Sequence, residues 1–138
     1  MKRVLFLCTH NSARSQMAEG LLRHFGADNY QVYSAGTEKT SVRPQAIQVM
    51  SEIGIDISHQ ESKTLEQYLN EQFDDVITVC DDANEACPVF PNTKNRRHWN
   101  FPDPSQAPGT EAEQLQVYRA VRDAIQQKIE QELLNGKE

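Results

Sequence analysis

Four apolar residues in a row, Val4-Leu5-Phe6-Leu7, end at Cys8 and give way to the polar run Thr9-His10-Asn11-Ser12. An unbroken β-prone run predicts a strand buried on both faces. From residue 15 to 25 the period changes. Ala18, Leu21, Leu22 and Phe25 recur at helical spacing, and Gly26 is the stop signal. Residues 31–35 read as a short strand ending at Gly36. Pro44 suits the first turn of a helix, whose stripe Ala46, Val49, Met50 and Ile53 closes at Gly54. Residues 64–70 predict a short helix with Leu65, Tyr68 and Leu69 inward. Residues 75–79 predict a second buried strand running directly into Cys80, and residues 97–100 a short fourth strand. Residues 111–134 predict a long last helix with Leu115, Tyr118, Val121, Ile125 and Ile129 on one side. The long loops fall at 81–95 and 100–110.

Strands alternating with helices imply an α/β fold, a parallel sheet flanked by helices on both faces, in a single domain spanning 1–138. Ligands in such sheets bind beyond the carboxyl ends of the strands. Cys8 and Cys80 each follow a central strand, so both point to that same edge.

Composition narrows the chemistry. The chain has 138 residues, enough for one core, with a net charge of −6. That charge argues against a general nucleic-acid or anionic-membrane partner, and requires any anion site to be made positive locally. The apolar start is too short for a signal h-region or a membrane span, so the expected location is the cytoplasm. Three cysteines, Cys8, Cys80 and Cys87, are an odd count for a static disulfide framework. Their plain alternative is three small buried hydrophobes.

The neighbours of Cys8 favour chemistry. Cys8 and Arg14 stand in a cysteine-x5-arginine loop between a strand and a helix. A thiolate, not a thiol, is the nucleophile, and the N-terminus of a helix favours negative charge. The amides of residues 9–14 can turn inward as a nest around an anion. Arg14 offers a planar fork matching two oxygens of a tetrahedral oxyanion. Ser15 can donate to the sulfur, and Asn11 and Ser12 suit the unusual backbone or side-chain bonds of such a loop. The expected oxyanion site is thus Thr9, His10, Asn11, Ser12, Ala13, Arg14 and Ser15. The alternative is a core cysteine and a solvated arginine. A general acid is also needed, because oxide leaves poorly. Asp103, between Pro102 and Pro104, is the candidate, its position stiffened from both sides; otherwise it is a plain turn residue.

The loop Cys8-Thr9-His10-Asn11-Ser12-Ala13-Arg14-Ser15-Gln16-Met17-Ala18-Glu19-Gly20 resembles that of the low-molecular-weight tyrosine phosphatase superfamily, and most of all its thioredoxin-coupled arsenate reductases. Val32-Tyr33-Ser34-Ala35-Gly36, Pro44-Gln45-Ala46, Gly54-Ile55-Asp56-Ile57-Ser58, Val79-Cys80, Cys87-Pro88, His98-Trp99 and Asp103-Pro104 extend the likeness over essentially the whole chain. The resemblance implies a four-stranded parallel sheet and reduction of arsenate to arsenite, with no bound cofactor and no metal. It implies that Cys8 attacks arsenate while Arg14 and the loop hold its oxygens and Asp103 protonates the leaving oxygen. Cys80 then forms a disulfide with Cys8, and Cys87 moves the oxidised pair outward as Cys80–Cys87. Reduced thioredoxin, or a glutaredoxin-like carrier, then serves as electron donor to a monomer. A further expectation is that residues 81–86 form a loop or partial helix able to move.

Three positions depart from the family pattern. Ala13 stands where several relatives have another cysteine, and His10 where a glycine is common. Lys63 follows Ser62 where some relatives have an aspartate that helps bind potassium with the equivalents of Asn11, Glu19 and Ser34. Lys63 is then either an ammonium paired with Glu19 in the same electrostatic role or a solvated surface lysine. Two other functions compete. A tyrosine phosphatase needs only Cys8, Arg14 and Asp103, leaves Cys80 and Cys87 unexplained, and has Ser105-Gln106 in place of the expected aromatic pair. A redox-sensing or metal-binding module would use Cys80, Cys87 and a histidine such as His98, at a spacing unusual for zinc.

Overall fold

Four strands form one parallel sheet in the order β2-β1-β3-β4: β1 (Lys2–Cys8), β2 (Tyr30–Gly36), β3 (Phe73–Thr78) and β4 (Thr93–His98). Among the described residues three α-helices accompany them: α1 (Arg14–Gly26), α2 (Pro44–Glu52) and α3 (Glu111–Ile129). The computed structural model describes residues 1–81, 87–91 and 93–134. The stretch 82–86, expected as a loop or partial helix, lies outside the described residues.

The two faces of the sheet differ in what covers them. Val4, Phe6 and Cys8 of β1 pack in one apolar cluster with Met17 and Leu21 of α1, Val49 of α2 and Tyr118, Val121 and Ile125 of α3. The alternate residues Leu5 and Leu7 face a smaller cluster of Ala35, Tyr68, Phe73, Val76 and Phe90. That second face is closed by a 3₁₀ turn (Leu65–Tyr68) and the segment carrying Phe90, where Phe73 meets Tyr68 and Phe90 edge-on at 5.9 and 5.5 Å.

The boundaries move where tertiary contacts override the local pattern. Residues 64–70 give only the 3₁₀ turn, and Leu69 is 37% exposed rather than inward. Phe25 is also outside, 42% exposed and edge-on to His24 at 4.8 Å. Helix α1 runs through Gly26, and the residue with positive φ is Ala27 (φ 46). Gly54 does close α2 from the left-handed region, at φ 82. Strand β3 begins two residues early, at Phe73, and ends at Thr78. Strand β4 begins at Thr93, four residues before the expected start, and ends at His98. Its sequence Thr-Lys-Asn-Arg-Arg-His carries no apolar alternation because it is an edge strand with one row of backbone groups outward. The last helix keeps its expected inward row of Leu115, Tyr118, Val121, Ile125 and Ile129, starts from a Thr110–Glu113 capping box, and widens into a π-helical turn over Glu130–Leu134.

Candidate active site

The candidate residues gather at the edge where β1 and β3 end. Leu7 is paired with Thr78, and the amide of Val79 continues the ladder to the Leu7 carbonyl at 2.9 Å. Cys8 and Cys80, one or two residues further along each strand, both sit in the larger core cluster and are shielded from solvent. Cys8 is free, whereas Cys80 and Cys87 are joined in a disulfide with Cα atoms 6.1 Å apart. Cys80 is fully buried and Cys87 half-buried.

The loop after Cys8 is held open by tying its carbonyls outward. The Thr9 oxygen accepts from the amides of Thr37 and Glu38, and the His10 oxygen from the Thr40 hydroxyl at 2.8 Å. The Asn11 oxygen accepts from Gln16 Nε2 at 3.0 Å, that of Ser12 from the Arg43 amide and that of Ala13 from the Met17 amide. With those carbonyls engaged away from the loop, the Asn11 amide is turned to the sulfur and lies 3.2 Å from Cys8 Sγ. Asn11 takes φ 50 to make the bend. Gly36, at the end of β2, lets the loop approach. A Cβ there would lie 2.6 Å from the Thr9 carbonyl and 2.9 Å from the Asn11 amide, so no side chain fits.

A buried polar chain stands behind the sulfur. Ser15 Oγ is 2.8 Å from Cys8 Sγ, and Asn11 Nδ2 donates to that same oxygen at 2.8 Å and to Ser34 Oγ at 3.0 Å. Ser34 in turn donates to Glu19 at 2.5 Å. Glu19 is buried against Arg23 at 2.6 Å and the Lys63 ammonium at 3.9 Å. Of the two readings for Lys63, the paired one is found. Its side chain is only 20% exposed, and burial pulls the ammonium below the ordinary lysine range while Glu19 pulls it back up.

Arg14 and Asp103 face each other across the loop. Arg14 is buried, donates from Nη1 to the Phe101 carbonyl at 3.1 Å, and sets Nη2 3.7 Å from Asp103 Oδ2. Asp103 Oδ1 accepts from the Ser105 amide and hydroxyl at 3.0 and 2.7 Å, leaving Oδ2 toward the arginine. A cavity of about 920 Å³ opens in front, bordered by Thr9, His10, Asp81, Asp103, Pro108 and Val117. His10 stands at its rim, 3.2 Å from Glu38.

All the expected site residues therefore gather at one end of the sheet. Gln16, Phe101 and Ser105 were not expected in it. Ser105 was legible as the residue two after an aspartate, where a side-chain turn forms. Gln16 and Phe101 carry no such signal, one bonding as a buried glutamine and the other only through its carbonyl. Among the described residues, Cys80, Cys87 and His98 also form one cluster, with a ligand atom of each within 4.8 Å of the others.

The profile of the family described as low molecular weight phosphotyrosine protein phosphatase matches residues 3–137. An arsenate reductase of Halalkalibacterium halodurans is 48% identical over 136 residues, covering 99% of this chain and 98% of the relative. A solved arsenate reductase in its phosphate binding state superposes with a TM-score of 0.84 at 36% identity, covering 98% of each chain. A thioredoxin-dependent arsenate reductase of Corynebacterium glutamicum superposes with a TM-score of 0.70 at 26% identity, over 98% of this chain and 63% of the other.

Proposed function

This chain belongs to the low molecular weight phosphotyrosine protein phosphatase family, and from that premise we propose that it reduces arsenate to arsenite with three cysteines and a thioredoxin as electron donor. The observation that carries the proposal is the Cys80–Cys87 bond beside a free, buried Cys8 on an oxyanion loop. A phosphatase needs the loop but has no use for the bond.

The Cys8 thiolate attacks arsenate, and the loop amides and Arg14 hold the remaining oxygens. Asp103 gives the departing oxygen its proton, so water leaves and a Cys8–arsenic bond remains. Cys80 then attacks the Cys8 sulfur. The electron pair of the sulfur–arsenic bond passes to arsenic, which leaves as arsenite, and a Cys8–Cys80 disulfide forms. Cys87 attacks Cys80, releases the Cys8 thiolate and produces the Cys80–Cys87 pair. A carrier dithiol attacks Cys87, the more accessible sulfur, and leaves oxidised. No cofactor is needed at any step. The reducing cytoplasm, which supplies such carriers, is the compartment this chemistry suits, and a monomer suffices for it. Among the described residues no helix is long and apolar enough to cross a membrane.

The test is arsenate-dependent NADPH consumption with thioredoxin and its reductase, set against a glutathione–glutaredoxin mixture. Consumption is expected with the first. Consumption only with the second would replace the carrier, and none with either would overturn the activity. A second reading, weak hydrolysis of small aryl phosphates, is favoured by the cavity, which is far larger than an arsenate ion and is bordered by Pro102, Ala107, Pro108 and Val117.

A further inference from the structure

We propose that His98 stabilises the Cys80 thiolate released when the Cys80–Cys87 disulfide is opened, and then returns its proton. The inference rests on the three-cysteine reading above, and it concerns the last half of the cycle.

The difficulty it solves is one of burial. The carrier reaches Cys87, so the sulfur expelled is that of Cys80, which has no exposure to solvent. A thiolate formed there loses its hydration, and a leaving thiolate that is poorly stabilised leaves slowly. A positive charge close by removes the penalty. The cations next along β4 are committed elsewhere. Arg97 is set against Asp75 at 3.5 Å and Glu132 at 3.0 Å, and Arg96 donates to the carbonyls of Phe90 and Pro91. Arg14 is turned to Phe101 and Asp103.

His98 has the right position and a fixed orientation. It is the last residue of β4 and is paired in register with Thr78 of β3, two residues before Cys80. One imidazole nitrogen lies within 4.8 Å of both sulfurs. Nδ1 is 2.7 Å from the Thr78 hydroxyl, whose own proton can go to the Arg97 carbonyl 3.4 Å away. With the hydroxyl proton so placed, Thr78 accepts from Nδ1, an arrangement that the imidazolium satisfies. Trp99 locks the strand end behind it through its amide to the Thr78 carbonyl at 2.8 Å.

The step balances as written. A carrier thiolate attacks Cys87 Sγ, forming a carrier–Cys87 disulfide and breaking the Cys80–Cys87 bond. The electron pair goes to Cys80 Sγ as thiolate beside the His98 imidazolium. The imidazolium proton then passes to that thiolate, directly or through one water, giving a thiol and a neutral imidazole. The second carrier thiolate opens the mixed disulfide and leaves the carrier oxidised by two electrons.

The experiment uses Cys8→Ser protein, oxidised in advance so that Cys80–Cys87 is its only disulfide, with dithiothreitol as reductant. Trp99, the single tryptophan, reports opening by stopped-flow fluorescence. Arsenate and the natural carrier are absent, so failure here is distinguishable from failure of the reductase reading. Rates are divided by the concentration of dithiothreitol thiolate across a series from about pH 5 to pH 8. Among the described residues, the groups near the ring include Thr78, Cys80 and Cys87, with Arg97 beside it on β4 and Asp81 next after Cys80 in the chain. The normalised rate is expected to fall roughly tenfold across that range with His98 present. His98→Gln should be slow and flat, and His98→Lys, which keeps a cation, fast and flat. A His98→Gln protein with an unchanged rate and profile would overturn the proposal. So would a His98→Lys protein as slow as His98→Gln, which would leave the histidine a purely structural part.

Discussion

Asn11 donates to Ser15 Oγ at 2.8 Å, the same oxygen that lies 2.8 Å from Cys8 Sγ. This relationship fixes the direction of a proton. Ser15 has one hydroxyl proton, and with Asn11 occupying an acceptor position, that proton is directed to the sulfur. The orientation of Asn11 is itself set, because its Oδ1 accepts from the Lys63 amide at 2.7 Å and from Gln16 at 3.0 Å. The backbone of one loop and the amide of Gln16 thereby decide that Cys8 is met by donors, which is what a thiolate requires.

Ser15→Ala should therefore slow the reaction of Cys8 while leaving the fold in place. A hydrogen bond to a charged group is worth enough that its loss slows attack about tenfold or more. The check is the rate of Cys8 alkylation by iodoacetamide at neutral pH, in protein whose other two cysteines are disulfide-bonded. Asn11→Ala should do at least as much harm, since it also removes the donor to Ser34. Equal alkylation rates in all three proteins would show that the chain behind the sulfur is structural only.

Each cysteine should fail in its own way. Cys8→Ser removes the nucleophile and should abolish both arsenate reduction and aryl phosphate hydrolysis. Cys80→Ser should keep hydrolysis and lose reduction. Cys87→Ala should complete one turnover and stop at a Cys8–Cys80 disulfide, visible as loss of two titratable thiols. Phosphate ester hydrolysis surviving in Cys8→Ser would remove it from the nucleophile's position.

Asp103, the proposed acid, holds Oδ1 against Ser105 and turns Oδ2 toward Arg14. Asp103→Asn should slow aryl phosphate hydrolysis most for leaving groups of high pKa, by about a hundredfold, and least for nitrophenyl leaving groups. Uniform slowing across such a series would reduce Asp103 to a loop-forming residue.

The parts of this architecture that follow from periodicity were legible in the sequence, and those that depend on distant partners were not. Val4–Leu7 as a doubly buried strand and the inward row of α3 follow from apolar spacing alone. Strand β4 escaped because an edge strand of polar residues is defined by its pairing to β3, not by its own pattern. Phe25 and Leu69 keep the apolar spacing of their segments in the sequence but stay 42% and 37% exposed, which spacing alone does not reveal. In the site, Cys8, Arg14 and Asp103 were legible because strand–loop–helix placement and flanking prolines restrict them. Gln16 was not, because its importance lies in bonds to Asn11 and to the Glu61 carbonyl, 45 residues away.

The Lys63 ammonium occupies the charge-balancing place beside Glu19, and from this a stability test follows. Glu19 is buried with Ser34 donating to it and two cations near, Arg23 and Lys63. A buried carboxylate that loses one of its cations is undercompensated, yet Arg23 remains, so Lys63→Ala should cost only about 1 kcal/mol. The vacancy is then lined by oxygens of Glu19 and the Glu61 carbonyl that now accepts from Lys63 at 2.5 Å. Hard oxygen donors of this kind suit an alkali cation. An ion bound only by the folded state stabilises it in proportion to the logarithm of its concentration. Urea unfolding of Lys63→Ala should therefore shift to higher midpoint in potassium chloride than in choline chloride at equal ionic strength. The unsubstituted protein, with its ammonium already in place, should unfold alike in both salts. A potassium response of equal size in the two proteins would show that Lys63 leaves a cation site open beside it, and that its pairing with Glu19 does not take the cation's place.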